Sequence, residues 1–188
     1  MNKLDICNRA LLMLKRNFIT SLQEESLDAN YCNFLYDKIK TEVLTMYPWH
    51  CALKKICLEC IESKGSLDYP YTFKLPKLLL KVVYVNNTTD YQKVGDLLFC
   101  KSNTIDLIYI ANILEENLDS YIAYLITLKL AFELSFSLEN DMSVSNNLKK
   151  LYDENMKKAF NTDSKNGSSI ILENNDEFYK STWIGARN

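Results

Sequence analysis

The stretch YPWHCALKK, residues 47–55, stands where the chain changes from one pattern to another. Before it, apolar residues recur at helical spacing, and after it β-branched and aromatic residues become frequent. Pro48 disfavours the α conformation at Tyr47, so the helix before it is expected to end there. We therefore predict a structural corner at Pro48 and Trp49, with the indole buried.

Two helices are predicted between residues 2 and 47. The first ends near Arg16, and its apolar residues repeat at three- and four-residue intervals along one face. The second helix continues up to the corner. In the connector, Ser21 and Glu24 have the spacing of a capping box, while Ser26 is a competing N-cap one turn later.

A small antiparallel β lobe is predicted at about residues 51–112. The runs KVVYV and LLFCKSNTIDLIYI are rich in β-branched and aromatic residues. Ser102 and Asn103 form a turn signal between two short apolar runs, so the second stretch is predicted to be a hairpin. The segment SKGSLDYPYTFKLPK, residues 63–77, is predicted to be a loop that joins short or edge strands.

Two further helices are predicted at about residues 118–160. Asp119 is a good N-cap for the first, whose apolar circumference is typical of a central helix. Lys129 and Glu133 near its middle argue against a membrane span, since each charge there costs about 2.5 kcal/mol or more. The second of these helices is predicted to end near Phe160.

The fold class predicted from these patterns is mainly α. We expect an antiparallel bundle of about four helices with the β lobe inserted, forming a single domain over residues 1–160. The run NTDSKNGSS predicts a solvated linker, so residues 161–188 are interpreted as linker and extended C-terminal tail.

Apolar anchors in the tail indicate a peptide that docks onto a partner. Folding of the tail back onto its own domain is an equally weighted alternative. The candidate partner-binding residues are Phe178, Tyr179, Trp183, Ile184 and Arg187.

Composition narrows the classes of function. The chain has 188 residues, 47% of them hydrophobic, and a formal net charge of -2, which provides no basic excess to neutralise nucleic acid or anionic lipid. The first residues lack the features of a signal peptide. Without an export signal, the six cysteines are interpreted as reduced thiols packed as small apolar groups.

The strongest metal or enzymatic candidate is the cluster of His50, Cys51, Cys57 and Cys60, in which CLEC has C-x-x-C spacing. No glycine provides the tight turn of a zinc knuckle, and no second C-x-x-C or His pair follows. We therefore expect no metal and no cofactor. His50 is expected to be incidental, so that His50→Ala costs little stability.

Other reaction centres have little support in the sequence. The single histidine has no context that marks a catalytic Ser or Cys, and no glycine-rich phosphate loop is present. The carboxylate pairs lie at predicted helix starts or in loops, where capping or solvation is the usual role. The chain is therefore predicted not to be an enzyme.

The order of several segments resembles a known family. These segments are ICNRALLMLKR, ITSLQEESLDANYCNFLYDKIKTEVLTMYPWHCALKK, YPYTFKLPKLLLKVVYV, LDSYIAYLITLKLAFELSFSL and LKKLYDENMKKAF. They resemble the head-to-tail adaptors of short-tailed bacteriophages, also called tail tubular protein A. The family pattern has an I-x-N-x-A-L helix, an S-L-x-E-x-S segment, a P-W turn and an L-P step. A departure is Lys15, where relatives often have Gly at the helix end.

The resemblance implies a structural virion protein that forms a ring of about twelve copies beneath the portal. Such a ring extends the DNA channel and provides the attachment platform for the tail. The implied partners are the portal protein, neighbouring adaptor subunits and tail nozzle or tail tube proteins. DNA passes through the lumen without sequence-specific binding, and no membrane is involved. The implied location is the virion neck, after assembly in the host cytoplasm.

Two alternatives remain beside the adaptor hypothesis. One is a small intracellular zinc- or thiol-dependent enzyme that uses the histidine and cysteines after the corner. The other is a host-directed intracellular helical protein without a role in the virion. The tail distinguishes them, because an adaptor can use a docking segment after a polar linker and an enzyme does not need one.

Overall fold

The computed structural model describes residues 1–61, 68–85, 90–138 and 142–166. The described residues form four α-helices, six β-strands and a short 3₁₀-helix at Glu115–Asn117. The helices are α1 (Lys3–Met13), α2 (Leu27–Met46), α3 (Ser120–Leu138) and α4 (Met142–Asn166). The strands are β1 (Leu53–Glu59), β2 (Tyr71–Lys74), β3 (Leu79–Val85), β4 (Tyr91–Val94), β5 (Leu97–Cys100) and β6 (Thr104–Ala111).

The fold is mixed α and β, so the prediction of a mainly α bundle with a small inserted lobe is wrong. Helix accounts for 51% and strand for 22% of the described residues. The strands form two three-stranded antiparallel sheets, in the orders β1-β6-β3 and β2-β5-β4. Strands β2, β4 and β5 have four residues each, which is too short for a clear alternating pattern in the sequence.

The predicted hairpin across Ser102 and Asn103 is also wrong. Strand β5 before this turn pairs with β2 and β4, whereas β6 after it pairs with β1 and β3. The chain therefore passes from one sheet to the other at this turn. β5 and β6 are the central strands of two different sheets, so each pairs with two other strands and they do not pair with each other.

A two-residue hairpin instead joins β4 to β5. Val94 pairs with Leu97, which leaves Gly95 and Asp96 as the turn. Gly95 has a φ of 60°, and the Asp96 φ is not positive, as a type II′ turn requires. Glycine at the first turn position therefore sets the register of this edge of the sheet.

Helix α3 has the central position that its apolar circumference predicts. It packs against α1, α2 and α4, and one hydrophobic core includes residues from the helices and from both sheets. Among the described helices, α3 alone is long and apolar enough to cross a membrane by length and composition. A helix surrounded by other helices has the same composition, and more than half of its apolar window is buried in the fold.

Helix α1 ends in a Schellman motif built on Lys15 instead of glycine. The N–H of Arg16 donates to Leu11 O at 3.0 Å, and the N–H of Lys15 donates to Leu12 O at 3.0 Å. Lys15 has a φ of 56°, in the left-handed region that favours glycine. The backbone therefore adopts the conformation for which glycine is the usual residue.

The connector between α1 and α2 is held by side chains of both flanking segments. The Asn8 amide donates to Ile19 O and accepts from Ile19 N–H, both at 2.9 Å. Ser26 is the N-cap of α2, so it prevails over Ser21 as the capping residue. Glu24 instead accepts hydrogen bonds within the connector, from Thr20 N–H at 2.8 Å and from Ser26 Oγ at 2.9 Å.

We predict that Lys15→Gly raises the free energy of unfolding by about 0.5–1 kcal/mol. Left-handed backbone costs a residue with a Cβ atom about 1–2 kcal/mol, and the greater freedom of glycine in the unfolded chain offsets part of the gain. Chemical denaturation of the wild type, Lys15→Gly and Lys15→Ala measures the effect. The alanine variant keeps the strain and should show no comparable gain. Equal stabilisation by both changes would contradict the left-handed backbone at Lys15 as the cause of the gain.

Candidate functional site

Trp49 is fully buried at the corner after α2. Its indole N–H donates to Val43 O at 2.8 Å, which satisfies one of the last carbonyls of the helix. The indole ring stacks on Phe160 of α4 at 5.4 Å between centroids and contacts Tyr47 at 4.7 Å. The corner therefore joins the end of α2 to α4 through aromatic packing.

The turn after Trp49 directs the chain into the first sheet. The N–H groups of Ala52 and Leu53 both donate to Trp49 O at 3.0 Å. Ala52 O then accepts from Ala111 N–H at 2.9 Å, immediately before β1 pairs with β6. Pro48 and Trp49 thus stand between the last helical residue and the first strand, where the sequence predicts the corner.

A polar cluster lies beside the indole. The Asp163 carboxylate is completely buried, and its Oδ2 lies 2.7 Å from His50 Nδ1. Its Oδ1 accepts from the Tyr121 hydroxyl at 2.7 Å and from the His50 backbone N–H at 3.3 Å. The same hydroxyl lies 3.0 Å from Asp119 Oδ2. These four residues connect the corner, the start of α3 and the end of α4.

Hydrogen-bonding capacity determines the roles within the cluster. An ionised carboxylate only accepts, so we assign the proton to His50 Nδ1, which donates to Asp163. The Tyr121 hydroxyl has one hydrogen and serves one carboxylate at a time. Burial, followed by the hydrogen bonds to Asp163 and Asp119, raises the pKa of Tyr121. The phenol therefore stays neutral and acts as a donor.

In many enzymes, a carboxylate orients the imidazole that acts as the general base. His50 Nε2 has no hydrogen-bond partner among the described residues, and the side chain is 36% exposed. The neighbouring thiol does not provide a nucleophile, since burial raises the pKa of Cys51 to about 11 despite a hydrogen bond from Asp119 N–H. Cys51 therefore remains protonated at neutral pH and does not act as a nucleophile beside His50. The contacts that the cluster does make join three elements of the fold.

The four predicted metal-ligand candidates have separate surroundings. Cys57 is exposed on β1, and its pKa is raised by desolvation and by the contact with Asp106. Cys60 lies near Cys100 of the second sheet. Within the described ranges, no group of three or more His, Cys, Asp or Glu side chains is placed to hold a metal ion. The structure therefore does not bring this set together.

Asp163 is the site residue that the sequence prediction missed, because it was assigned to the solvated linker. Helix α4 continues to Asn166, beyond the predicted end at Phe160. A usable signal was present: Met156, Ala159 and Asp163 recur at three- and four-residue intervals, and all three are buried. The interpretation of His50 as incidental is corrected by its contact with this carboxylate. The predicted tail anchors, residues 178–187, lie outside the described residues.

No protein-family model matches the chain, and no curated protein matches it.

We predict that Trp49→Ala lowers the free energy of unfolding by about 3–5 kcal/mol, because it removes a large buried aromatic ring. The matched control is Phe34→Ala, since Phe34 is a large aromatic residue that is 80% exposed on α2. That change should stay within about 0.5 kcal/mol. Chemical denaturation measures both, and equally small losses would mean that the indole does not hold the corner.

We predict that His50→Ala lowers the free energy of unfolding by about 1–3 kcal/mol, because the buried Asp163 carboxylate loses a donor. His50→Asn is the matched control, since its amide nitrogen can reach the position of Nδ1 and donate. Thermal and chemical unfolding should show that the asparagine variant retains most of the stability. If His50→Ala is as stable as wild type, the contact does not stabilise the corner.

Proposed function

We propose that this chain is a structural virion protein, a head-to-tail adaptor of a short-tailed bacteriophage. In this proposal it forms a ring of about twelve copies beneath the portal, extends the DNA channel and provides the attachment platform for the tail. It is not an enzyme and uses no cofactor. The proposal starts from the sequence resemblance, and the roles of the motif residues in the fold support it.

The observation that carries the proposal is the role of Asn8 in the I-x-N-x-A-L motif. Ile6, Ala10 and Leu11 are completely buried on one face of α1. Asn8 forms two hydrogen bonds with the backbone of Ile19, which fixes the connector against the helix. Each named motif position therefore has a physical role that depends on its spacing, as expected if the motif specifies this local structure.

The S-L-x-E-x-S segment has a similar role. Hydrogen bonds from Thr20 N–H, the largest effect, and from Ser26 hold the pKa of Glu24 below its ordinary value. An ionised Glu24 thus organises the chain before α2, which Ser26 caps. Asn8 in α1 and Glu24 before α2 are both polar motif residues, and both form hydrogen bonds with the backbone of the same connector. This supports a common local structure with the family.

The L-P step and the departure at Lys15 are consistent with the same interpretation. Leu75 is buried, and Pro76 O accepts from Leu79 N–H at 3.0 Å where β3 begins. Lys15 adopts the left-handed conformation that glycine adopts most easily. The residue departs from the family pattern, but the backbone conformation fits the glycine that relatives often have.

Charge and surface chemistry support passage of DNA without binding. A formal net charge of -2 provides little attraction for phosphates, and a channel that passes DNA benefits from weak attachment. The proposed partners are the portal protein, neighbouring copies of the chain, and tail nozzle or tail tube proteins. Contacts repeated around a ring add strength without one dominant residue. The proposed location is the neck of the virion, after assembly in the host cytoplasm.

The enzyme alternative has less support from the described residues. The Cys51 thiol is protonated at neutral pH because burial raises its pKa to about 11. The exposed Cys57 also has a raised pKa, with desolvation as the largest cause. Neither thiol has the depressed pKa that activated cysteine nucleophiles show.

We predict that the full chain forms a ring of about twelve copies when mixed with the portal protein encoded in the same genome. Native mass spectrometry and negative-stain electron microscopy measure the assembly. A variant that ends at Asp176 lacks the predicted anchors and should assemble poorly. Coupled ordering of the tail is expected to cost a few kcal/mol, which anchor contacts must exceed.

The thermal stability of the unassembled variant is the control for this experiment. The truncated chain should melt at the temperature of the full chain, because the tail is proposed to act only in assembly. A full chain that never associates with the portal would contradict the adaptor function. A truncated chain that assembles normally would contradict only the role of the tail.

A further inference from the structure

A groove lies between the start of α1 and the 3₁₀-helix. Its volume is about 320 Å³. Leu114 and Met1 contribute exposed apolar surface, with 63% and 43% of their areas accessible. The lining residues are Met1, Asn2, Asp5, Leu114, Glu115 and Glu116. The groove therefore combines apolar surface with carboxylates along its edge.

The carboxylates of the groove differ in how far they are engaged. Glu115 Oε1 accepts from Lys40 Nζ at 2.7 Å and from the Tyr36 hydroxyl at 3.2 Å. Asp5 accepts from Asn2 N–H as part of the α1 capping box. Within the described part of the chain, Glu116 has no hydrogen bond or ion pair. Glu116 and the exposed Asp5 are therefore the carboxylates available to a cationic ligand.

The groove and the end of α4 lie at the same end of the helices. Asp119 and Asp163 both contact the Tyr121 hydroxyl, so the last turn of α4 lies beside the segment that leads into α3. Glu116 precedes Asp119 by three residues, which an extended chain spans in about 10–11 Å. The chain that follows α4 therefore starts close to the groove.

The length and composition of the remaining chain suit this groove. Phe178 follows Asn166 by 12 residues, which reach up to about 40 Å when extended. That reach is long enough to include the groove of the same copy. The sequence FYKSTWIGARN, residues 178–188, combines aromatic and aliphatic residues with Lys180 and Arg187. Its character complements the exposed apolar side chains and the carboxylates that line the groove.

We propose that the groove is the docking site for residues Phe178–Arg187 of this chain. Trp183 and Ile184 cover Leu114 and Met1, while Arg187 pairs with Glu116. Docking removes exposed apolar surface on both sides, which provides the main favourable term. The proposed function supplies only one part of this inference, namely that the segment comes from a neighbouring copy in the ring.

Photo-crosslinking of the full chain tests the docking site. p-Benzoylphenylalanine replaces Trp183, and equal amounts of isotopically light and heavy protein are mixed, with and without the portal protein. Mass spectrometry of the crosslinked peptides should place most crosslinks on residues 1–5 and 114–116. Crosslinks spread elsewhere on the chain, with few in these two segments, would overturn the proposal.

Groove variants test whether the named residues make the contact. Leu114→Ser combined with Glu116→Lys should lower the crosslink yield about fivefold or more, because apolar contact and charge attraction are both lost. Leu78→Ser is the matched control, since Leu78 is 61% exposed outside the groove, and it should leave the yield unchanged. Glu116→Lys alone should also lower the yield, and adding Arg187→Glu to that single variant should restore it. No loss in the double variant would overturn the proposal.

The isotope pattern distinguishes this inference from the proposed function. Light-to-heavy crosslinks in the groove support both the docking site and exchange between copies. Crosslinks in the groove that join only residues of one chain support the docking site and count against the tail's role in the ring. Failure to assemble on the portal with groove crosslinks retained would contradict the adaptor function alone.

Discussion

The buried carboxylate of Asp163 is the constraint on which the arrangement of the corner depends. Transfer of a carboxylate from water into a protein interior is costly unless hydrogen bonds compensate. Here the donors come from His50 after α2 and from Tyr121 at the start of α3, far from Asp163 in sequence. The carboxylate is satisfied only when three elements meet, so it holds the corner, the start of α3 and the end of α4 together.

Aromatic packing and polar contacts contribute differently at this corner. Trp49 is in contact with Phe160 and Tyr47, and such packing is strong but weakly directional. The hydrogen bonds to Asp163 are directional and admit few geometries. Packing therefore supplies most of the stability of the corner, while the buried carboxylate determines how α4 is positioned against it.

The sequence predicted the helices well because long segments with period 3.6 carry a strong signal, as for α2 and α3. It predicted the sheets poorly because strand pairing is not local. The turn at Ser102 and Asn103 has the features of a hairpin, but only the neighbours of β5 and β6 show that it connects two sheets. Asp163 was missed because its neighbours are turn-forming residues, and their composition outweighed the continued periodicity of α4.

The position of Asp163 also bears on the tail. Tyr121 contacts both Asp163 and Asp119, so the same hydroxyl fixes the last turn of α4 next to the segment that carries Glu116. A contact at the corner thus sets where the end of α4 lies relative to that segment. In the docking proposal, the 12 residues from Asn166 to Phe178 are long compared with this separation, so a small displacement of α4 changes their reach only slightly. Under that proposal, the selectivity of docking comes from the surface of the groove, while the corner holds the end of α4 in place.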